Sequence, residues 1–484
     1  MLFNSLEFII FLPVVWLLYW FAFRNRQTQN LFVIAASYLF YGWWDSRFLL
    51  LIVLTSLTSF ASGLLLERAE GNERLRKVWC ISNVTFNLLI LGIFKYYNFF
   101  VENLQATLGL FGIALDGPTR NIILPVGISF YTFQALSYTI DVYKRRLGAT
   151  HDIVAFFAYI SFFPQLVAGP IERSTKLLPQ FATSRTFDYA AAVDGCRQML
   201  CGFFKKLVVA DLCGEVVNSL WDRWNELSGI NLILIGFLYC FQIYGDFSGY
   251  SDIAIGCGRL FGINLSQNFN LPYFARSIPD FWRRWHISLT SWLTDYIYYP
   301  LGGSRCSKPK ALRNVFIVWG LSGLWHGAAW TFIVWGLYHA VLVGLYRVFD
   351  LNPHYQPPLG EGRKLPSFTE LRQMGTTFLL VAVGLVFFRS HDVSQALHIL
   401  WRMVSSPLDG ALITYKSGTL YAIIAVLTLT VLEWIQRDKA HVLQFTDNSF
   451  FARKATARLA VYATVIISFI LAVGKVQTFI YFHF

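Results

Sequence analysis

Long apolar segments recur along the chain and are separated by short polar stretches. In the amino-terminal third the apolar segments lie at 8–23, 31–46, 48–66, 78–100 and 122–143. Near the carboxyl end they return at 314–325, 328–348, 376–388, 420–434 and 459–474. A helix needs roughly 20 mainly apolar residues to cross the hydrocarbon core of a bilayer. The pattern predicts an all-α protein built from membrane-spanning helices.

The region from about 152 to 310 has a different pattern. Its apolar runs are short and are interrupted by glycine, proline and charge, as in "FFPQLVAGPIERS", "CGFFKKLVVADLCGE" and "YGDFSGYSDIAIGCG". Irregular backbone at membrane depth is tolerated only where protein covers it or where it lines a wet cavity. We therefore expect re-entrant or in-plane helices here. The organisation predicted is one membrane domain, 1–484, with amino-terminal spans (1–146), an irregular centre (147–340) and carboxyl-terminal spans (341–484).

Composition agrees with a membrane protein. Of the 484 residues, 55% are hydrophobic and only 14% are charged, whereas a soluble domain carries about 25% charged residues. The net charge of +12 sits in short clusters between apolar runs, including Arg24 with Arg26, the 67–77 loop and 144–146. Cytoplasmic loops carry such an excess of basic residues. The charge therefore indicates a multi-pass topology with an extracytoplasmic amino terminus, and not nucleic-acid binding.

Two further features exclude other classes. Residues 1–23 have no basic stretch before the apolar run and no small-residue cleavage site, so they predict a retained first span rather than a signal peptide. The seven cysteines form no C-x-x-C pair, which argues against a zinc site or a disulfide framework and favours a packing role.

The first motif with candidate chemistry is "LSGLWHGAAWTFIVWGLYHA", residues 321–340, which carries His326 and His339. An imidazole in a membrane segment is a candidate functional group because its burial is costly. Gly323 and Gly327 form a G-x-x-x-G pair, two glycines with three residues between them. Such a pair lets a neighbouring helix or ligand approach the backbone closely. On a continuous helix Ser322 and Trp330 would share the face of His326, beside Trp325. The alternative is a packing helix whose histidine donates one hydrogen bond.

The second motif is "RSIPDFWRRWHISLTSWLTDYIYYPLGG". Ser277 and Asp280 have the spacing of a helix capping box. The following helix mixes tryptophan and arginine, which suits the membrane interface, and places His286 and Leu289 on one face. The alternative is an interfacial anchor with an incidental histidine. Candidate substrate-binding residues from both motifs are Arg283, Arg284, Trp285, Trp325 and Ser322.

Asp246 and Asp252 form a third candidate group, in an apolar, glycine-rich stretch. An ionised aspartate at mid-membrane costs about 2.5–3.5 kcal/mol on insertion scales. Each is therefore expected to meet water, protein or a cation, and we expect that cation to be an arginine. A structural ion pair is one interpretation, and a proton relay is the other.

Residue types alone leave two classes of function. No G-x-S-x-G elbow, Walker lysine loop or H-E-x-x-H helix is present. The remaining classes are a membrane enzyme that uses histidine as a base and a proton-coupled transporter that uses histidine and aspartate.

The motifs together resemble the membrane-bound O-acyltransferases, in particular the bacterial branch that acetylates alginate, cellulose and peptidoglycan. The resembling segments are "LPVGISFYTFQALSYTIDVYKRR", "FFPQLVAGPIER", "YGDFSGYSDIAIG" and the two histidine motifs. The resemblance implies a ring of helices around a thinned centre, in the bacterial cytoplasmic (inner) membrane. It assigns the catalytic position to His326 and the second family position to His286.

The resemblance also implies a reaction. Acetyl-CoA would be the donor, no metal would be needed, and His326 would take the proton of a hydroxyl that attacks the thioester, directly or through an acetyl-histidine. His286 would orient the partners or donate to the developing oxyanion. A periplasmic or membrane-anchored acetyltransferase would pass the group to an exported polysaccharide. The enzyme alternative is transfer of D-alanine or another acyl group to peptidoglycan or teichoic acid, and the sequence leaves the polymer open.

Overall fold

The predicted apolar segments form helices in the computed structural model. The structure describes residues 1–113, 122–167, 169–351, 358–410, 417–445, 454–472 and 479–480. Within these ranges the chain contains helices and connecting segments and no β-strand. The predicted all-α, polytopic membrane fold is therefore confirmed. The last two residues of the predicted 459–474 span lie outside the described ranges.

The chain divides into two compact units. The first consists of Met1–Ala192 with Cys257–Ser266, and the second of Val193–Gly256 with Gln267–Phe484. The helices that begin in the first unit are α1 (Leu6–Leu17), α2 (Arg26–Asp45), α3 (Leu49–Arg68), α4 (Glu73–Gly109), α5 (Ile128–Tyr143), α6 (Ile153–Ser161), α7 (Phe163–Leu166), α8 (Ser174–Ala182) and α9 (Tyr189–Phe203). A π-helical turn, Leu18–Ala22, extends α1.

Polar caps fix where several of these helices begin. The side chains of Asn25, Asn72 and Asp152 accept hydrogen bonds from backbone N–H groups at the starts of α2, α4 and α6, over 2.9 to 3.1 Å. Such a cap contributes about 1 kcal/mol, because the first N–H groups of a helix have no partner within it.

The basic loops of the first unit lie at one end of it. Arg76, from the 67–77 loop, is buried and donates to the carbonyls of Leu66 (2.8 Å) and Tyr143 (2.9 Å), at the ends of α3 and α5. Arg26 pairs with Asp152 at 2.8 Å. The three basic clusters therefore share one end of the unit, as a common cytoplasmic side requires, and Arg76 also satisfies helix carbonyls that would otherwise be unpaired.

The second unit holds the remaining helices. They are α10 (Asp211–Leu220), α11 (Gly229–Leu260, whose last turn belongs to the first unit), α12 (Ile278–Arg284), α13 (Ile287–Leu293), α14 (Lys308–His326), α15 (Trp330–Val348), α16 (Phe368–Arg389), α17 (Val393–Ser405), α18 (Ser417–Ile435) and α19 (Ala455–Ala472). π-Helical segments, Phe204–Ala210 and Thr294–Tyr298, continue α9 and α13.

The interpretation of "YGDFSGYSDIAIGCG" as an interrupted segment is wrong, because it lies inside the continuous 32-residue helix α11. The glycines mark a close helix crossing instead of breaks. A Cβ on Gly249 would lie 2.7 Å from the carbonyl oxygen of Gly202, and a Cβ on Gly256 would lie 2.3 Å from that of Gly195. Small residues at this spacing let two backbones touch.

Six helices among the described residues are long and apolar enough to cross a membrane. They are Arg26–Arg68, which joins α2 and α3, Glu73–Gly109, Gly229–Leu260, Trp330–Val348, Phe368–Arg389 and Gly418–Ile435. Shorter apolar helices, Leu6–Ala22 among them, accompany these six. The chain is therefore a multi-pass membrane protein by length and composition of its helices.

Candidate active site

The first histidine motif forms a tight helical hairpin. Helix α14 ends at His326 and α15 begins at Trp330, so residues 321–340 are not one continuous span. A Cβ on Gly323 would lie 2.3 Å from the carbonyl oxygen of Phe332, and a Cβ on Gly336 would lie 2.3 Å from that of Trp319. The small residues therefore bring the two backbones into contact. The hairpin places the buried His326 at its turn.

Two expectations for this motif, the positions of Gly327 and Trp330 on one continuous helix, need correction. Gly327 lies in the break between the helices, where a Cβ would overlap the ring of Phe332 at 2.1 Å. Trp330 starts the next helix and is 56% exposed, so it does not share the face of His326. His339 is buried among the rings of Trp282, Trp319 and Trp335.

The second histidine lies at a sharp bend. The predicted helix over this motif is divided, because His286 has a left-handed backbone (φ 43°, ψ 52°) between α12 and α13. A residue other than glycine in this region is uncommon, and such backbone costs of order 1–3 kcal/mol and often occurs at functional sites. The expectation of one continuous helix is therefore wrong, although His286 and Leu289 still line the same cavity.

The predicted cap of α12 is half formed. The Ser277 hydroxyl accepts from the Asp280 N–H (3.2 Å), as expected. The Asp280 carboxylate does not reach back to Ser277 but accepts from the Arg276 N–H (3.1 Å) and from the Arg284 guanidinium (2.9 Å). Arg284 is thus engaged in an ion pair, while Arg283 is exposed.

The bend places the two histidines together. The ring centroids of His286 and His326 are 6.5 Å apart. Both side chains line one cavity of about 200 Å³ within the second unit. Leu289 and Ser322 also line it, whereas Arg283, Arg284, Trp285 and Trp325 do not. Trp325 still packs beside the site, with its ring centroid 5.7 Å from that of His286.

The cavity is elongated along α14. Val315, Trp319, Ser322 and His326 lie on the same face of this helix and line it. At about 1.5 Å per residue, the stretch from Val315 to His326 covers roughly 16 Å. Toward the other end the lining includes Arg347, whose guanidinium donates to the Tyr298 hydroxyl at 2.6 Å.

Each of the two aspartates pairs with a lysine, so the prediction of an arginine partner is wrong. Asp246 lies 2.8 Å from the Lys206 ammonium, and Asp252 lies 3.0 Å from that of Lys205. Two further carboxylates complete the cluster, Asp211 at 2.7 Å from Lys206 and Glu433 at 3.3 Å from Lys205. The Lys206, Asp211 and Asp246 side chains are almost fully buried, and Lys205, Asp252 and Glu433 are at most 13% exposed. Charges with so little access to water require oppositely charged partners.

The structure adds residues that the sequence reasoning missed. The side-chain oxygen of Asn268 lies 3.1 Å from Nδ1 of His286, although no motif drew attention to this asparagine. Arg347 and Tyr298 were also missed. A charged residue in the last turn of an apolar helix, such as Arg347 in α15, was a usable signal. In the described part of the chain, no group of three or more His, Cys, Asp or Glu side chains is arranged to hold a metal ion.

Comparison with known proteins identifies the family. Residues 33–352 match the MBOAT, membrane-bound O-acyltransferase family. The chain belongs to this family. One relative, the probable alginate O-acetylase AlgI of Pseudomonas aeruginosa, is 40% identical over 83% of this chain and 74% of its own length. The peptidoglycan O-acetyltransferase of Helicobacter pylori is 34% identical over 86% and 82%.

A third relative, the teichoic acid D-alanyltransferase of Bacillus subtilis, is 30% identical over 56% of this chain and 70% of its own length. The family and these relatives identify the protein as an acyltransferase, which confirms the enzyme class and sets the transporter alternative aside. The predicted location in the bacterial cytoplasmic membrane agrees with the family and with the six apolar helices.

Proposed function

We propose that the protein moves acetyl groups from acetyl-CoA, at the cytoplasmic face, to a hydroxyl acceptor on the other side of the membrane, for O-acetylation of an exported polysaccharide. The observation that carries the proposal is the shared cavity, which brings His286 and His326 together at one end and Arg347 toward the other. Its volume of about 200 Å³ suits a slender thioester arm with a small acyl group.

The Arg347 end suits the phosphates of the donor. Helices α14 and α15 run antiparallel, with a Cβ on Gly344 2.9 Å from the Leu312 side chain, so the end of α15 lies beside the start of α14. That start carries exposed basic residues: Lys308, Lys310 and Arg313. An arginine binds phosphate oxygens through a fork of N–H donors, and basic ends face the cytoplasm. The donor would therefore enter here, with its thioester toward His326.

The reaction then follows from the position of His326. The imidazole accepts the proton of the acceptor hydroxyl as its oxygen attacks the acetyl carbonyl carbon, while His286 orients that hydroxyl. The C–S bond breaks, the acetyl group stays on the acceptor oxygen, and the CoA sulfur leaves and recovers the proton from His326. General-base catalysis of this kind typically contributes 10²–10⁴-fold.

The alignment with the relatives favours an acetyl group over a D-alanyl group as the group that this protein transfers. The two acetylating relatives align with 83% and 86% of this chain, and the D-alanyl-transferring relative aligns with 56%. The polymer is of the alginate or cellulose type in this proposal, because the alginate O-acetylase of Pseudomonas putida is 35% identical over the full length of both chains. The immediate acceptor would be a periplasmic or membrane-anchored acetyltransferase partner.

The test is donor turnover by purified protein in lipid nanodiscs, supplied with solubilised envelope proteins as the source of the acceptor hydroxyl. It is measured as thiol released from acetyl-CoA, from a long-chain acyl-CoA and from a D-alanyl thioester of carrier protein. The proposal predicts turnover of acetyl-CoA with little of the other two. Preferred use of the D-alanyl thioester would contradict it. A second assay, with alginate oligomers and this protein alone, tests whether a separate acetyltransferase partner is needed. Direct acetylation of the oligomers would show that no partner is needed.

A further inference from the structure

Asn268 lies against the left-handed bend at His286. It is fully buried, and two backbone hydrogen bonds join its segment to the bend. The Ile287 N–H donates to the Asn268 carbonyl, and the Asn270 N–H donates to the Arg284 carbonyl, both over 2.9 Å. The main chain therefore fixes the position of the asparagine relative to the imidazole.

The orientation of the Asn268 amide follows from its neighbours. The Ser288 backbone N–H lies 3.3 Å from one side-chain atom of Asn268, and the Ser288 hydroxyl lies 2.8 Å from the same atom. A backbone N–H is only a donor, so this atom must be the oxygen, Oδ1. The amide nitrogen then points to the Ser251 hydroxyl at 3.1 Å, where it donates. The amide has one satisfactory orientation.

This orientation determines the protonation pattern of His286. Its Nδ1 lies 3.1 Å from Oδ1 of Asn268. An amide oxygen carries no proton, so Nδ1 must donate. In a neutral imidazole one nitrogen is a donor and the other is an acceptor. The neutral ring of His286 therefore carries its proton on Nδ1 and its lone pair on Nε2.

We propose that Asn268 is a positioning residue that holds His286 as the Nδ1–H tautomer, so that Nε2 accepts a hydrogen bond from the attacking hydroxyl. The identity of that hydroxyl rests on the proposed function, whereas the tautomer rests on the contacts of Asn268 alone. Of the two roles expected for His286, orientation of the hydroxyl fits a neutral ring. Donation to an oxyanion from Nε2 would require a second proton.

Kinetics of four variants test the proposal in the protein reconstituted in nanodiscs. N268D keeps an oxygen for the three donors, which are the Ser288 N–H, the Ser288 hydroxyl and Nδ1 of His286, and it adds a negative charge, which favours the protonated imidazole. The acid limb of its kcat/KM profile should therefore move to higher pH by about one unit. N268A removes the acceptor, and kcat should fall about tenfold or more with KM for acetyl-CoA changed less than about twofold. The N268A/H286N double variant should lose no more than H286N alone.

The control is N270D, which adds the same charge at an exposed side chain two residues away. Its pH profile should match that of the wild type. An N268D profile that coincides with the wild-type profile would overturn the proposal. So would losses from N268A and H286N that multiply in the double variant, because independent effects mean that Asn268 does not act through His286.

A spectroscopic measurement separates this inference from the proposed function. Protein labelled with ¹⁵N in its histidine rings, with the His286 signals identified by their absence in H286N, should show a protonated Nδ1 and an unprotonated Nε2. N268A should mix the two tautomers. A proton on Nε2 in the wild type would refute the role of Asn268 even in an active enzyme. The expected tautomer without acetyl-CoA turnover would refute only the proposed function.

Discussion

The imidazole rings of His286 and His326 face one cavity with their centroids 6.5 Å apart. One ring stands at the end of a helix and the other at a left-handed bend between two short helices. Both rings can therefore contact a substrate that occupies this cavity. We propose that the two imidazoles, which have different structural supports, have different tasks: proton transfer at His326 and orientation of the hydroxyl at His286.

The donor end of the cavity is tested at Arg347. R347Q keeps a hydrogen-bond donor for the Tyr298 hydroxyl but removes the positive charge. KM for acetyl-CoA should rise about tenfold, because charge-assisted hydrogen bonds to phosphate contribute on the order of 1.5–3 kcal/mol, while kcat changes little. The measurement is initial rate against acetyl-CoA concentration. R372Q, an equal charge change at an exposed position of α16, is the control. An unchanged KM in R347Q would remove Arg347 from the donor site.

The buried lysine–carboxylate cluster is tested by D246N and D252N. Each substitution removes one charge-assisted contact to a lysine that keeps its second carboxylate, Asp211 for Lys206 and Glu433 for Lys205. The loss of such a contact costs on the order of 1.5–3 kcal/mol. Both variants should lower the thermal midpoint and the folded yield, with acetyl-CoA turnover per folded molecule largely kept. D438N, at an exposed position, should leave the midpoint unchanged. Well-folded D246N or D252N without turnover would place these carboxylates in the catalytic site as a proton relay.

The first unit contains a carboxyl group that should make stability depend on pH. Burial raises the pKa of Glu172 to about 7, although Ser266 donates to it from its backbone N–H and its hydroxyl. The folded state then binds a proton that the unfolded state releases near pH 4.5. Stability should fall as pH rises from about 5 to 8, by at most roughly 3 kcal/mol.

E172Q removes this titration and should flatten the dependence of the thermal midpoint on pH between about 5 and 8. E70Q, at an exposed position of the same unit, should keep the wild-type slope. If E172Q and the wild type lose the same number of degrees over this interval, Glu172 is not the group responsible.

Hydrophobic patterning predicted most of the helices because burial in a bilayer depends on local composition. It failed at α11, where glycine density was interpreted as a break. Gly202 and Gly249 contact each other across a crossing of α9 and α11, and a sequence does not show which helix lies opposite a glycine. A helix interior tolerates glycine at a cost of about 1 kcal/mol relative to alanine, and the close packing offsets this cost.

The sequence indicated the two histidines of the candidate site, but it did not indicate Asn268 or the bend that hold His286 in place. His286 and His326 stand out locally because imidazoles are rare in apolar segments. Asn268 does not, since its role depends on contacts with residues 18 and 20 positions later in the chain. The bend at His286 is set by the same contacts, so a continuous helix was the expected outcome of a purely local pattern.

The central claim, that His326 is the base, is tested most directly by acetyl-CoA turnover of H326A in nanodiscs, beside H286N and the exposed-histidine control H398A. H326A should fold with the wild-type elution profile and thermal midpoint within a few degrees, and its turnover should fall at least 10²-fold. H286N should retain part of the activity, because an amide can still hold the hydroxyl, and H398A should match the wild type. Near-normal turnover by folded H326A would contradict the assignment of the base to His326.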